Sequence, residues 1–285
     1  MAFSEPEFKP SKRRLSPMSI DITRTKDPST AAQILSQDRT AYILGGGTGL
    51  MRRIHEGDQN VRHLVRINNL EMSEIVRLGT AIRIGSQVTM TQIMKDPYLL
   101  VLHTAAASVG APALRNMATV GGNLFSQPPY GDITTALLSL EAQVVFMNGN
   151  RQEQQALDAF LKQTGARRLV LAIELPNSSN KTFVYHKMTR THPRGASLIT
   201  LAATFKYSAG RLSHCRIAFG GLAGRPLRAF SAERVLTGSL TVAKIDAACA
   251  SLKQSIEPYS DALASGWYRM EMAQLHLRRV ITKLI

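Results

Sequence analysis

Residues 45–51 read GGGTGLM and follow an apolar run, AYIL, that ends at Leu44. Three consecutive glycines, a threonine and a fourth glycine leave the main chain almost without side-chain cover. Such a stretch is either a plain turn or a concave set of N–H groups that binds an anion. Neither standard phosphate motif fits, because the dinucleotide fingerprint needs glycine where Leu50 or Arg52 stands and no Gly-Lys-Ser/Thr follows as in a P-loop.

A second stretch of the same kind, ATVGGN, spans residues 118–123. It offers the hydroxyl of Thr119, a glycine pair and the amide of Asn123. Asp132 follows at the start of a predicted helix, where it would either cap the helix or accept a hydrogen bond from a sugar hydroxyl. Two sets of free N–H groups in one domain suit a ligand with two phosphates and an extended polyol, and FAD is such a ligand.

The charge of the chain is strongly basic, with 35 Lys and Arg against 20 Asp and Glu and a formal net charge of +15 over 285 residues. Nucleic-acid binding is one interpretation. The basic residues are scattered, however, no aromatic residues interleave with them, and no zinc-finger, helix-turn-helix or RNP pattern is present. A basic surface that meets an acidic protein partner is the favoured interpretation.

Cysteine usage and hydropathy narrow the class of protein. Cys215 and Cys249 are the two cysteines, too few for a disulfide framework or for an iron–sulfur cluster made by this chain alone. No apolar run approaches the roughly 18 residues of a membrane helix. The charged N-terminal stretch has no apolar run behind it, which argues against a secretory signal. We therefore expect a cytoplasmic protein.

Hydrophobic periodicity predicts an α+β fold, with strands first and helices last. A helix over 30–36 would be capped by Ser29 or Thr30. Strands are predicted in AYILG, HLVRINNL, TAIRIG, AQVVFMN and RRLVLAIELP. Helices are predicted around 154–163, in ITTALLSL and in the Ala-rich stretch that begins at Val101 and that Gly110 and Pro112 interrupt. Residues 118–132 are predicted as a Gly/Pro loop. Three antiparallel strands and three helices follow a turn at NSSNK.

The order of LGGGTGL, LVRINNL, LRNMATVGGN, GDITTALLSLEAQV and LAIELP resembles the FAD-binding subunit of the molybdenum hydroxylases, the medium subunit of the xanthine and carbon monoxide dehydrogenase type. The resemblance runs from about residue 20 to the C-terminus. It implies a two-subdomain FAD-binding fold of the PCMH and vanillyl-alcohol-oxidase type over 19–177, divided near 75 and 76. A C-terminal domain over 181–285 would follow, and residues 1–18 would be a flexible extension.

The resemblance also implies which residues contact FAD. The set comprises the first diphosphate loop, the second loop, the acidic residue after it and three residues near the flavin ring: Gly45, Gly46, Gly47, Thr48, Gly49, Leu50, Thr119, Gly121, Gly122, Asn123, Asp132, Val170, Tyr185 and Lys187. The family usually has Asp, Ser or Asn where Gly49 stands, so backbone replaces one side-chain hydrogen bond here. Lys187 would stabilise negative charge on the reduced flavin.

Structural alternatives stay open for three of these residues. Val170 is more typical of a hydrophobic core, Asp132 could cap the helix as well as bind the ligand, and Lys187 could lie on an ordinary solvated strand face. The seven histidines show no metal-ligand spacing, so no metal site is assigned.

The implied function is electron transfer within a complex. A molybdenum-cofactor large subunit would oxidise the substrate, and a small subunit would carry two [2Fe–2S] clusters. FAD in this chain would pass the electrons to NAD⁺, O₂ or another acceptor. A stand-alone flavin reductase or oxidase of the same flavin fold is the alternative, and a nucleic-acid-binding module is a weaker one.

Overall fold

The computed structural model describes residues 19–67, 71–163, 167–177, 180–191 and 195–284, which form three β-sheets with helices packed on them. The predicted N-terminal extension, 1–18, and residues 68–70 of the LVRINNL motif lie outside these ranges. Within them, no helix is both long and apolar enough to cross a membrane.

The first sheet is parallel and has the strand order β1-β3-β2. Its strands are β1 (Asp21–Thr25), β2 (Ala41–Ile43) and β3 (His63–Ile67). Helix α1 (Pro28–Gln37) packs its apolar face on this sheet, and helix α2 (Leu50–His55) follows the glycine stretch. The strands at AYILG and HLVRI are confirmed.

The predicted cap of α1 is wrong. The cap is Asp27, whose carboxylate accepts the N–H groups of Ser29 and Thr30 at 3.0 and 2.9 Å. Pro28 occupies the first helical position, where its fixed φ is favourable and no N–H is needed. Asp27, which precedes Pro28, therefore has extended backbone, and its side chain can accept the first N–H groups of the helix.

The second sheet is antiparallel, with the strand order β4-β5-β8-β6-β7. Its strands are β4 (Ile75–Leu78), β5 (Ala81–Gly85), β6 (Gln143–Asn148), β7 (Arg151–Ala156) and β8 (Leu169–Pro176). The predictions for β5, β6 and β8 are confirmed. The helix predicted around 154–163 is partly wrong, since α8 covers only Leu157–Lys162. Residues 151–156 instead form a hairpin with β6, and β4 was not predicted.

Short helices lie between β5 and β6 and surround the second glycine stretch. They are α3 (Met90–Lys95), α4 (Leu100–Ala107), α5 (Pro112–Arg115), α6 (Val120–Leu124) and α7 (Asp132–Ser139). The predicted interruption of the Ala-rich helix at Gly110 and Pro112 is confirmed. The prediction of a continuous loop over 118–132 is wrong, because Thr119 caps α6 by accepting the Gly122 N–H.

The third sheet is antiparallel and contains the three predicted strands, β9 (Thr182–Thr189), β10 (Ser197–Ser208) and β11 (Arg211–Gly220). Two-residue strands β12 (Leu227–Arg228) and β13 (Gly238–Ser239) pair with β11. Helices α9 (Phe230–Leu236), α10 (Val242–Ser255) and α11 (Gly266–Thr282) bury their apolar sides on one face. Helix α7 contacts β10 and β11, and its residues are buried on all sides.

Candidate functional site

The first glycine stretch connects β2 to α2 and has an open row of backbone donors. None of the N–H groups of Gly45 to Gly49 donates to an acceptor in the part of the chain that the structure describes. Gly47 has φ of +71°, a conformation that glycine adopts without strain. Thr48 is half-buried and Gly49 is exposed, where the chain turns into α2 at Leu50. Unpaired amides in a tight bend are the donors that an anion needs.

The two glycine stretches, far apart in sequence, are in contact. A β-carbon on Gly46 would lie 1.6 Å from the carbonyl oxygen of Met117, and one on Gly45 would lie 3.1 Å from Oγ1 of Thr119. No side chain fits at Gly46 without separating the two segments. The glycines of the first stretch therefore permit both the exposed amides and the close approach of the main chains.

The second stretch is not a set of free N–H groups, so that prediction is wrong. All four amides of residues 120–123 donate internally: Gly121 to the Ser86 carbonyl at 2.8 Å, for example, and Gly122 to Thr119 Oγ1 at 3.1 Å. A β-carbon on Gly121 would lie 2.8 Å from that of Ser86. Gly121 serves close packing of α6 on Ser86, and the Gly122 N–H is taken up by the Thr119 cap.

Asn123 joins α6 to α7. Its side-chain oxygen accepts the N–H of Thr134 at 3.2 Å and the Thr134 hydroxyl at 3.0 Å, and both residues are buried. The side-chain oxygen of Asn123 is thus occupied by Thr134. These two hydrogen bonds hold the second stretch against α7.

Asp132 lies at the start of α7, but its side chain does not cap the helix. Gly131, with φ of +107°, is the N-cap, and the Asp132 carboxylate turns away to accept from Lys187 Nζ at 2.7 Å and Ser197 Oγ at 2.8 Å. Burial raises the pKa of Asp132, and the Lys187 ammonium opposes that rise. The capping alternative is wrong because strands β9 and β10 supply stronger partners.

Lys187 and Tyr185 project from β9 toward α4 and α7. Lys187 Nζ also donates to the Ser108 carbonyl at 2.8 Å, and the Tyr185 hydroxyl lies 3.0 Å from Ser108 Oγ. The Lys187 side chain is 14% exposed, so the alternative of an ordinary solvated face is wrong. Burial and the nearby Asp132 carboxylate raise the pKa of Tyr185 well above its usual range. Three elements thus converge on one buried polar cluster.

Val170 does not belong to this cluster. It lies in β8, opposite Phe146 of β6, and is 4% exposed within the core of the second sheet. Ser108, Ser197 and Thr134 hold the predicted residues in place and were not predicted. No local pattern marks such partners, since serine and threonine are common and their acceptors or donors lie far away in sequence or in another helix.

The described residues contain no group of three or more His, Cys, Asp or Glu side chains placed to hold a metal ion. Both cysteines are free and buried. His192 lies outside the described ranges.

Comparison with known proteins gives the family. The FAD binding domain in molybdopterin dehydrogenase matches residues 18–178, and the CO dehydrogenase flavoprotein C-terminal domain matches residues 183–284. The putative xanthine dehydrogenase FAD-binding subunit XdhB of Escherichia coli strain K12 is 28% identical over 269 residues, which cover 90% of this chain and 92% of that protein. The glyceraldehyde dehydrogenase medium chain of Sulfolobus acidocaldarius is 24% identical over 270 residues, 91% and 96% of the two chains.

A solved structure has the same fold. Carbon monoxide dehydrogenase from Hydrogenophaga pseudoflava, in a form that lacks the Mo-pyranopterin moiety, aligns with a TM-score of 0.85. The sequence identity is 24%, and the alignment covers 93% of this chain and 96% of that one. The predicted fold class is confirmed.

The chain belongs to the family of FAD-binding subunits of molybdopterin dehydrogenases. It is a flavoprotein subunit of an oxidoreductase, and its cofactor is FAD. The residues present fit that cofactor, because the amides of residues 45–49 have no acceptor among the described residues and can donate to a diphosphate, while the contact of Gly46 with Met117 holds them beside the second stretch.

Proposed function

We propose that this chain is the electron-transfer subunit of a molybdenum hydroxylase, in which FAD receives electrons from [2Fe–2S] clusters of a partner subunit and passes them to NAD⁺, O₂ or another acceptor. The observation that carries the proposal is the row of unpaired amides at Gly45–Gly49 held against Met117. Bound FAD supplies the ability to take up and release electrons singly or in pairs. The chain supplies binding, orientation and charge.

The first stretch, Gly45 to Leu50, would bind the diphosphate through main-chain N–H groups. Thr119 would complete that side of the cradle, while Gly121, Gly122 and Asn123 hold its shape by packing. Backbone donors bind phosphate without a counter-ion of their own, since the partial charges of several amides converge.

The polar cluster of Asp132, Lys187 and Tyr185 would border the flavin end of the cofactor. Lys187 would present a positive charge there, balanced by the Asp132 carboxylate 2.7 Å away. Such a fixed ion pair keeps both charges at one place in a buried site, so the field at the cofactor does not depend on flexible side chains. Val170 would contribute apolar surface from the core.

We infer that the complex contains a molybdenum-cofactor large subunit and a [2Fe–2S] small subunit. Two relatives are described as a FAD-binding subunit and a medium chain, which supports a heteromeric assembly. Four thiolates hold a [2Fe–2S] cluster in most proteins, and this sequence has two cysteines, both buried. The unpaired thiols also support a cytoplasmic location. We also propose that the chain divides into a FAD-binding domain over 19–177 and a C-terminal domain over 181–285.

The test is an absorption spectrum of the purified protein, followed by release and identification of its cofactor. We expect flavin absorption bands and release of FAD, in a stoichiometry of one per chain. A protein that is colourless and takes up no FAD on reconstitution would overturn the proposal.

Partner binding needs a separate experiment. Co-expression with candidate molybdenum and iron–sulfur subunits from the same organism should give a complex that survives gel filtration at low salt. A FAD-loaded chain that reduces an acceptor by itself and binds neither subunit would favour a stand-alone flavin reductase.

A further inference from the structure

Arg52 and Tyr130 contact each other and belong to the two segments that carry the glycine stretches. Arg52 lies in the first turn of α2, two residues after Leu50, and Tyr130 lies two residues before Asp132. The guanidinium carbon of Arg52 is 5.1 Å from the centroid of the Tyr130 ring, and Nη1 is 3.4 Å from the phenol oxygen. Side chains 78 positions apart therefore link the two segments that would border FAD.

Arg52 is not held by a strong carboxylate partner. Its Nε lies 3.9 Å from Oε1 of Glu56, and the two side chains are 51% and 62% exposed. An ion pair of this length and exposure contributes little, because water screens both charges. The guanidinium of Arg52 is therefore free to bind another anion without breaking a buried bond.

The neighbouring Arg53 is arranged differently. It donates to Oδ2 of Asp58 from Nη2 at 2.7 Å and from Nε at 2.9 Å, and its guanidinium carbon lies 4.8 Å from the centroid of the Tyr42 ring. Of these two adjacent arginines on one short helix, Arg53 has a close carboxylate partner and Arg52 does not. Arg53 completes a local ion pair, whereas Arg52 contacts Tyr130 of the other segment.

The chemistry of the cofactor explains what Arg52 would bind. The FAD diphosphate carries two negative charges, and residues 45–49 offer it neutral N–H groups. A guanidinium matches phosphate oxygens with two parallel N–H donors, and such charge-assisted bonds are stronger than those from neutral amides. Contact with the face of an aromatic ring restricts the side chain and so lowers the entropy lost on binding.

We propose that Arg52, held against the Tyr130 ring, is a phosphate-binding residue for FAD in the 45–50 cradle. The inference rests on the proposed function, because it requires FAD at that place. The amides fix the position of the diphosphate, Arg52 neutralises its charge, and Tyr130 limits where the guanidinium can go.

The experiment is a titration of the cofactor-free full-length chain with FAD at two salt concentrations. Quenching of flavin fluorescence reports the binding. Arg52→Ala should raise the Kd for FAD about tenfold and reduce its salt dependence, since a charge-assisted hydrogen bond is lost. Arg52→Lys should give an intermediate Kd. Arg53→Ala is the matched control and should leave the Kd within about twofold of the unmodified chain.

The outcomes separate this inference from the proposed function. If the unmodified chain binds FAD and Arg52→Ala binds it equally well at low salt, the role of Arg52 is overturned and the function stands. If Arg52→Ala and Arg53→Ala weaken binding equally, a general loss of α2 structure is responsible and the specific role is again overturned. If the unmodified chain binds no FAD at any salt concentration, both proposals fail.

Discussion

The carbonyl oxygen of Met117 lies 1.6 Å from the position that a β-carbon on Gly46 would occupy. Gly46 therefore contacts the main chain just before the second glycine stretch, and only a residue without a side chain permits that contact. The two segments are 71 positions apart in sequence, from 46 to 117. The shape of the candidate cradle depends on this single main-chain contact.

Gly46→Ala should abolish FAD retention, because the new methyl group forces residues 45–47 away from 117–119 and displaces the aligned amides. Gly49→Ala is the control: Gly49 has φ of −87°, and a β-carbon there would have no atom within 4 Å, so its substitution should leave FAD bound. Flavin absorbance per mole of purified protein measures both. Full FAD occupancy in Gly46→Ala would refute the assigned loop.

Lys187→Met should destabilise the protein by about 3–5 kcal/mol, because it leaves the buried carboxylate of Asp132 without its cation. Urea unfolding at pH 7 measures the change, and the double variant with Asp132→Asn should recover part of the loss. Lys181→Met serves as comparison. Lys181 lies 3.5 Å from Glu141 with both side chains about a third exposed, and its loss should cost about 1 kcal/mol or less. Equal losses in the two single variants would contradict the special position of Lys187.

Asn123→Ala should lower the free energy of unfolding by about 2 kcal/mol, since the Thr134 N–H and hydroxyl lose their acceptor in a buried place. Gln127→Ala, on the exposed segment before α7, should change it by less than about 0.5 kcal/mol. Denaturant unfolding of the two variants side by side provides the measurement. A neutral Asn123→Ala would show that the link between α6 and α7 contributes no stability.

Acidification should destabilise the C-terminal part through His276. Its ring stacks on that of His186 with centroids 4.3 Å apart, and burial, His186 and Arg279 together lower the pKa of His276 to about 4. The unfolded chain takes up a proton near the ordinary pKa of about 6.5, whereas the folded chain does not until about 4. Stability is therefore lost as the pH falls from about 6.5 toward 4.

His276→Gln removes this titration and should flatten the decline in unfolding free energy between pH 7 and pH 5. His55→Gln, on the exposed side of α2, should leave the decline as steep as in the unmodified chain. Unfolding curves at several pH values compare the slopes. An unchanged slope in His276→Gln would assign the acid sensitivity elsewhere.

Much of the fold was accessible from local sequence. Strand β5 alternates apolar and polar residues, and β9 to β11 contain apolar runs or β-branched and aromatic residues typical of strands. Helices α10 and α11 carry apolar residues at helical spacing, so each element follows from its own residues. The glycine run at 45–49 and its order relative to ATVGGN indicate the family and FAD. These features are local, because periodicity and bare backbone are properties of neighbouring residues.

Tertiary structure decided the rest. The polar segment 151–156 shows no strand pattern, yet it is a strand because β6 offers it a partner across a tight turn. Asp132 fits a helix cap by position, but Lys187 and Ser197 arrive from strands 55 and 65 residues later and take its carboxylate. The glycine pair at 121–122 has the composition of a ligand loop, but Gly121 packs against Ser86 and the Gly122 N–H donates to Thr119. In each case a residue distant in sequence supplies the competing partner, and which partner arrives is a property of the folded chain alone.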